Sequence, residues 1–288
     1  MDVNNSDRNG RALEYAIVME LSKITNATLT NRANNDNLRD KPKFDAIAQQ
    51  SPVLSQQFII AGVKISNWIS NQFVNEKITI DRLPDSNESV TDITITSPLK
   101  KIELSLKHNH LALKHPRPYS IAQACGYAKN STQDISHRNL MRDVDNSFRK
   151  LVNGIQNYNN CPKTCILNLY NNVYEACQIS INNWANTDKH LAKNLFGFIV
   201  NNGFFKVIVN TGKDLTVKVQ DFLAFGDVST VKALINHKSN YLTLIFNNGW
   251  EISLRVHTAA TKISKPNSQL SLKFDAQRVA GSIYEINI

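Results

Sequence analysis

Residues 91 to 107 place chemistry-bearing side chains on two neighbouring alternating segments. Thr91-Asp-Ile-Thr-Ile-Thr-Ser-Pro is followed, after a short turn at Pro98-Leu99, by Ile102-Glu-Leu-Ser-Leu-Lys107. Glu103, Ser105 and Lys107 share strand parity, so they point to one face. An acid on one strand, Asp92, beside an acid-x-x-x-lysine run on the next suits a hard divalent metal held near a phosphate; Mg²⁺ is the natural choice. Such a metal polarises the phosphate and lowers the pKa of a bound water. The Lys107 ammonium would orient that water or offset charge in the transition state. The carbonyl of Leu106 is a further candidate oxygen ligand. The plain alternative is an exposed strand face of alternating polar residues.

The two-strand layout resembles the core of the PD-(D/E)XK nucleases. In that pattern an acid stands two residues before the lysine, and here that position is Ser105. Glu103 lies two residues further back, about 6–7 Å along the strand. Glu14, on the first predicted helix, is the other carboxylate that could complete a metal site.

Two further segments bring cations. Lys107-His-Asn-His-Leu-Ala-Leu-Lys-His-Pro-Arg117 holds His108, Asn109, His110, Lys114, His115 and Arg117, groups suited to phosphates and base edges. A solvated basic loop is the competing reading. The adjacent letters His-Asn-His are not evidence for an HNH nuclease, whose three residues are dispersed over a strand-loop-helix unit. The second segment is Arg255-Val-His-Thr-Ala-Ala-Thr-Lys262 with Ser271-Leu-Lys-Phe-Asp275; it is expected on a turn after a strand. Arg255, His257, Lys262 and Lys273 are its candidate DNA contacts. No phosphate-cradling glycine loop and no serine in a strand-turn-helix elbow is present, which argues against an ATP-driven enzyme and a Ser-His-Asp hydrolase.

The elements that must hold these residues read as follows. Helical spacing of Leu13, Ile17, Leu21 and Ile24 predicts a helix over 10–24, with Asn9 or Gly10 at its start. Two short helices are expected within 26–57. A further helix is expected over 57–72, with Ile60, Val63, Ile65 and Trp68 in the core. A strand is expected over 76–83, then a turn at Pro84-Asp-Ser-Asn. Strands over 90–97 and 100–107 carry the candidate site. Helices are expected over 137–160, decorated by Arg142, Asp143, Asp145 and Arg149, and over 165–196, with a stripe of Tyr170, Val173, Tyr174 and Cys177. From Gly203 the pattern turns to strands, and Asn247-Asn-Gly between two apolar runs marks a hairpin. The expected fold class is mixed α/β (α+β): a PD-(D/E)XK-like central mixed sheet flanked by helices, with a β-rich C-terminal part. The expected division is a nuclease core with a helical insert over 1–200 and a DNA-contacting part over 201–288.

At 288 residues the chain can bury a substantial core, and 42% hydrophobic against 20% charged residues marks a globular protein. The net charge of +9 favours polyanions. No apolar run is long enough to span a membrane, and the start Met1-Asp-Val-Asn has no basic-plus-apolar signal pattern, so a cytoplasmic location is expected. Cys161 and Cys165 have ligand-like spacing, but no second pair matches them; His137 or His190 could complete a site. Reduced thiols are the simpler reading of these two, Cys125 and Cys177.

Four stretches together resemble the HaeIII-type family of type II restriction endonucleases. They are Gly10-Arg-Ala-Leu-Glu-Tyr-Ala, Thr91-Asp-Ile, Leu104-Ser-Leu-Lys-His-Asn-His with Leu113-Lys-His-Pro-Arg117, and Arg255-Val-His-Thr-Ala with Ser271-Leu-Lys-Phe-Asp275. The resemblance implies a Mg²⁺-dependent endonuclease cutting double-stranded DNA at a short palindrome, with GGCC as the associated target. It makes Asp92 and Lys107 the catalytic acid and lysine, and Glu14 the acidic position on the first helix. Ser105 falls where this family also departs from the wider pattern. It further implies a methyltransferase protecting host DNA, and palindromic targets favour a homodimer. Two readings compete: a structure-specific or repair nuclease on the same core, and a DNA-binding protein whose catalytic site is degenerate.

Overall fold

A computed structural model of the chain describes residues 5–84, 90–110, 113–236 and 240–288. Most of the turn expected at 84–87 lies outside them. The helices are α1 (Asn5–Leu21), α2 (Asn31–Gln50), α3 (Pro52–Gln72), α4 (Ile121–Ala124), α5 (Thr132–Leu151), α6 (Lys163–Ala185) and α7 (Leu191–Val200). The strands are β1 (Ala27–Leu29), β2 (Ile78–Arg82), β3 (Ile93–Thr96), β4 (Lys101–His108), β5 (Phe204–Asn210), β6 (Thr216–Phe222), β7 (Val231–Asn236), β8 (Tyr241–Phe246), β9 (Glu251–Thr258), β10 (Leu272–Ala280) and β11 (Glu285–Asn287). The chain divides into two compact units: residues 1–111, 202–224 and 283–288, and residues 112–201 and 225–282. The units are interleaved along the chain, which passes between them after residues 111, 201, 224 and 282.

The first unit is built on a seven-stranded mixed sheet in the order β1-β2-β3-β4-β5-β6-β11. Neighbours β1/β2 and β4/β5 run parallel, and the other pairs run antiparallel. Alternation decides which face is buried. Ile80, Ile93, Ile95, Leu104, Val207 and Val219 join Leu13, Ile17 and Leu21 of α1 and Phe58, Ala61, Ile65 and Ile69 of α3 in one core. Ile60 and Val63, expected in that core, are each 40% exposed; the buried stripe of α3 runs instead through Phe58, Ala61, Ile65 and Ile69. The two short helices expected within 26–57 are replaced by β1 and the single long α2. Thr30 caps α2 by accepting from the Ala33 amide at 3.1 Å, and the helix continues through Pro42. Side-chain bonds from Asn37 and Asp40 to Arg82 of β2 anchor the segment, which is why local propensity fails there.

The second unit packs α6 against a four-stranded antiparallel sheet in the order β10-β9-β8-β7. The Tyr174 hydroxyl donates to the Asn240 carbonyl (2.7 Å) and accepts from the Val256 amide (3.0 Å), fixing the helix to the sheet. Val173, Tyr174 and Cys177 are buried, and Tyr170 is half-buried. The Asn-Asn-Gly turn joins β8 to β9, with Gly249 at φ +81°, a conformation that suits glycine. The helix expected over 165–196 is interrupted: α6 ends at Ala185 and α7 begins at Leu191. The one expected over 137–160 runs earlier, from a Ser131 cap to Leu151, and Gly154 at φ +81° follows its end. Asp145, expected on its surface, is only 5% exposed and accepts from the Leu270 amide at 3.2 Å.

Candidate active site and nucleic-acid interface

Asp92 immediately precedes β3. Its amide donates to the Leu104 carbonyl (2.8 Å) and its carbonyl accepts from the Leu83 amide (2.9 Å). The β3–β4 ladder pairs Ile93 with Leu104, so Asp92 lies opposite Ser105 and shares the face of Glu103, Ser105 and Lys107. Its Oδ2 accepts from the Leu106 amide at 2.6 Å. The carboxylate thereby takes over as acceptor where β3 stops and β4 continues. The group of Leu106 that meets Asp92 is thus its amide.

Charge converges on this carboxylate. Burial pushes the Asp92 pKa up to about 6, the Lys107 ammonium pulls it down, the Glu14 carboxylate pushes it up, and the Leu106 N–H pulls it down. Glu14 is itself held by Arg11 (Nη1 to Oε2, 3.0 Å) and by Arg82. Arg82 is 1% exposed and also donates to Asp40 (2.8 Å) and Asn37 (3.2 Å). Burial favours the protonated form of Asp40, but hydrogen bonds and charge from Arg39 and Arg82 outweigh it and hold its pKa below the usual value. Arg82 is the site residue that reading motifs missed. Its signal was present: in Ile78-Thr-Ile-Asp-Arg82 it shares the parity of two buried isoleucines.

The other expected residues are placed as follows. Glu103 pairs with Lys101 and accepts from the Thr91 hydroxyl at 3.0 Å. Ser105 is 1% exposed, and its ladder partner on β5 is the buried Lys206. Among the described residues, no group of three or more His, Cys, Asp or Glu is arranged to hold a metal. The pair Asp92 and Glu14 nonetheless fits the preference of Mg²⁺ for one or two carboxylates, with substrate phosphates and waters filling its remaining positions. A half-closed Asp92 carboxylate with a raised pKa is also one whose charge a divalent ion would relieve. All four cysteines are free. His137 is buried, donating through Nε2 to the Pro118 carbonyl (2.7 Å) and accepting at Nδ1 from Ser180 (2.8 Å), so its nitrogens are committed.

The basic segment from Lys107 to Arg117 is divided between the two units. In the first, His108 lies half-buried, edge-on to Phe58 and 2.8 Å from the Thr211 hydroxyl, and burial lowers its pKa. Asn109, at φ +53°, accepts from the Thr211 amide (2.8 Å); His110 is exposed. In the second, residues 113–116 run along β10: the Leu113 amide donates to Ala276, and the Phe274 amide donates to Pro116. Lys114 lies 4.3 Å over the Phe198 ring, and Arg117 is exposed.

Arg255 and His257 are in β9 rather than on a turn. The ladder sets Arg255 opposite Asp275 and His257 opposite Lys273, all four with one parity. Their neighbours Leu254, Val256, Leu272, Phe274 and Ala276 are buried, so these four face away from the core. Lys262 lies beyond the strand, in an isolated bridge with Asn157.

No family model matches the chain. The sequence is similar to that of the type II restriction enzyme HaeIII of Haemophilus aegyptius: 24% identity over 320 aligned positions, covering 96% of this chain and 95% of that one. This distant but nearly end-to-end match supports a family like the type II restriction endonucleases.

Proposed function

We propose that this protein is a type II restriction endonuclease that makes Mg²⁺-dependent double-strand cuts in DNA at a short palindrome. The observation that carries the reading is the placing of the Asp92 carboxylate on the face of Lys107, where it accepts from the Leu106 amide at 2.6 Å, with the charges of Lys107 and of Glu14 on α1 acting on it. Similarity to HaeIII along almost the whole chain supports the same reading, and the resemblance of the four sequence stretches makes GGCC the first target to try.

Asp92 and Glu14 would hold the metal, which when bound supplies a Lewis acid beside the scissile phosphate. Arg11 and Arg82 keep Glu14 oriented, and the Leu106 amide keeps Asp92 oriented. Lys107 offsets the negative charge that develops as water attacks the phosphodiester. Glu103 is engaged with Lys101 and Thr91, so it would act on the site only indirectly, through water. His110, Lys114, Arg117, Arg255, His257, Lys262 and Lys273 supply contacts to phosphates and bases. A homodimer matches the two-fold symmetry of a palindrome, and a cognate methyltransferase would protect the host's own sites. No helix among the described residues is long and apolar enough to cross a membrane. Work on DNA would suit a cytoplasmic location.

One observation favours a second reading. Ser105 stands where a metal-binding acid is usual, and it is buried. A DNA-binding protein with a degenerate site would have this feature. Incubation with unmethylated duplex DNA of phage length, with Mg²⁺ or with EDTA, separates the readings. Discrete Mg²⁺-dependent fragments support the restriction endonuclease, and a smear supports a structure-specific or repair nuclease. Intact DNA that still shifts on a gel supports the degenerate binder.

A further inference from the structure

The outward face of the β9–β10 ladder holds a carboxylate among cations. Asp275 lies directly opposite Arg255 and two residues along from Lys273. For a surface that meets phosphates, a carboxylate there is unfavourable unless it has a partner in the DNA. Two histidines approach its oxygens: His115 Nδ1 is 3.1 Å from Oδ1, and His257 Nδ1 is 3.5 Å from Oδ2. His115 also donates from Nδ1 to the Phe274 carbonyl (3.1 Å), so its ring is oriented by the backbone as well. Burial, more than any other influence, lowers the His257 pKa and so favours its neutral ring, against the pull of the Asp275 carboxylate in the other direction. The Asp275 side chain remains 37% exposed.

We infer that Asp275 is a specificity-determining residue whose carboxylate accepts a hydrogen bond from the exocyclic amine of a cytosine; the inference rests on the DNA-cleaving reading above. In the major groove the base donors are cytosine N4 and adenine N6. Adenine presents its N7 acceptor beside that amine, which repels a carboxylate and suits an amide side chain instead. Cytosine presents a donor without an adjacent acceptor, so it is the base an acid selects. Opposed residues on an antiparallel ladder have Cβ atoms roughly 4.5–5.5 Å apart. Arg255, opposite Asp275, is therefore placed to read a guanine next to that cytosine. Paired sheet strands are an established means of entering a groove.

The test begins with a random-sequence duplex library cleaved by the wild type and by Asp275→Asn, with the cut ends sequenced. The wild type is expected to yield one consensus containing cytosine. Asp275→Asn is expected to relax one cytosine position and its symmetry mate, raising cutting at adenine-substituted sites relative to the original by roughly tenfold or more. An unchanged consensus with slower cutting overturns the proposal and reduces Asp275 to a support for His115 and His257. A wild type that yields no consensus overturns the endonuclease reading, and the proposal with it.

A second measurement leaves folding aside. The target cytosine is replaced by 2-pyrimidinone, which lacks only the amine, and affinity is read by gel shift without Mg²⁺. Wild-type affinity is expected to fall roughly ten- to hundredfold, and Asp275→Ala affinity to fall little further. Equal falls in the two proteins contradict the assignment.

Discussion

Asp92 and Asp275 are both carboxylates set near a lysine on a β-sheet, but their surroundings differ. Asp92 is half-buried, takes a backbone N–H at 2.6 Å, and shares its site with a second carboxylate that two arginines hold in place. Asp275 stands on an open sheet face with a third of its side chain exposed, beside two histidines and opposite an arginine. The first arrangement amplifies charge, because each interaction acts at reduced dielectric. That suits a metal and a reacting phosphate. The open arrangement leaves hydrogen-bonding capacity free for an incoming partner, which suits recognition. Substitutions should therefore uncouple the two: the first region governs cutting and stability, the second affinity and sequence choice.

The largest effect expected is on catalysis. Asp92→Asn keeps an acceptor for the Leu106 amide but loses the charge that holds a metal. Cleavage should fall at least roughly 10²–10³-fold, while sequence-specific binding measured in EDTA persists. Parallel loss of binding would break the separation between the regions.

Next is Arg82. Arg82→Met removes a buried cation shared by Glu14, Asp40 and Asn37, leaving carboxylates without their partner. Chemical denaturation should show a loss of about 3–5 kcal/mol. A change near zero would mean that the network is dispensable and that Glu14 is oriented by Arg11 alone.

A smaller effect is a pH dependence. The Asp92 pKa in the folded chain, about 6, lies above its ordinary 3.8. Its protonation therefore contributes stability that is fully present below about pH 3.8 and is lost as pH rises through about 6. The loss is at most about 3 kcal/mol in the metal-free protein. Asp92→Asn should lack this dependence and melt higher than the wild type at pH 8. Millimolar Mg²⁺ should raise the melting temperature of the wild type and not of Asp92→Asn. Identical pH profiles for the two proteins would place the carboxylate in an open, unperturbed setting.

The mildest consequences for the fold belong to the open face. Lys273→Ala should leave stability within about 0.5 kcal/mol of the wild type. If it contacts a phosphate, the salt dependence of binding should fall by about one ion, uniformly across sequences. Arg255→Ala should instead relax choice at one guanine. A large loss of stability in either would show that the face is structural.

Much of this could be read in the residues themselves. The parity of Glu103, Ser105 and Lys107 and the Ile93/Ile95 alternation define the two strands and their common face. Asp92 and Lys107 were therefore visible as a pair before any coordinates. Their surroundings were not. Glu14 reaches the site only because α1 packs on the sheet through Leu13 and Ile17, a long-range consequence of burial. Arg82 carried a parity signal, but its charge argued against reading it as buried. The β1–α2 segment misled because Thr30 and the Asn37–Asp40–Arg82 bonds outweigh weak local propensity and an internal proline. Arg255 and His257 are expected on a turn that leaves the strand after Trp250. Pairing with β10, some 20 residues away in the chain, keeps them in a strand.

The most direct test compares Lys107→Ala with the wild type on one target duplex. Single-turnover cleavage is measured in Mg²⁺, and binding in EDTA. Cleavage is expected to fall by roughly 10²–10³-fold with affinity and target sequence unchanged. Cutting by Lys107→Ala at the wild-type rate would contradict the account, because it would place the chemistry away from the Asp92–Lys107 strand pair.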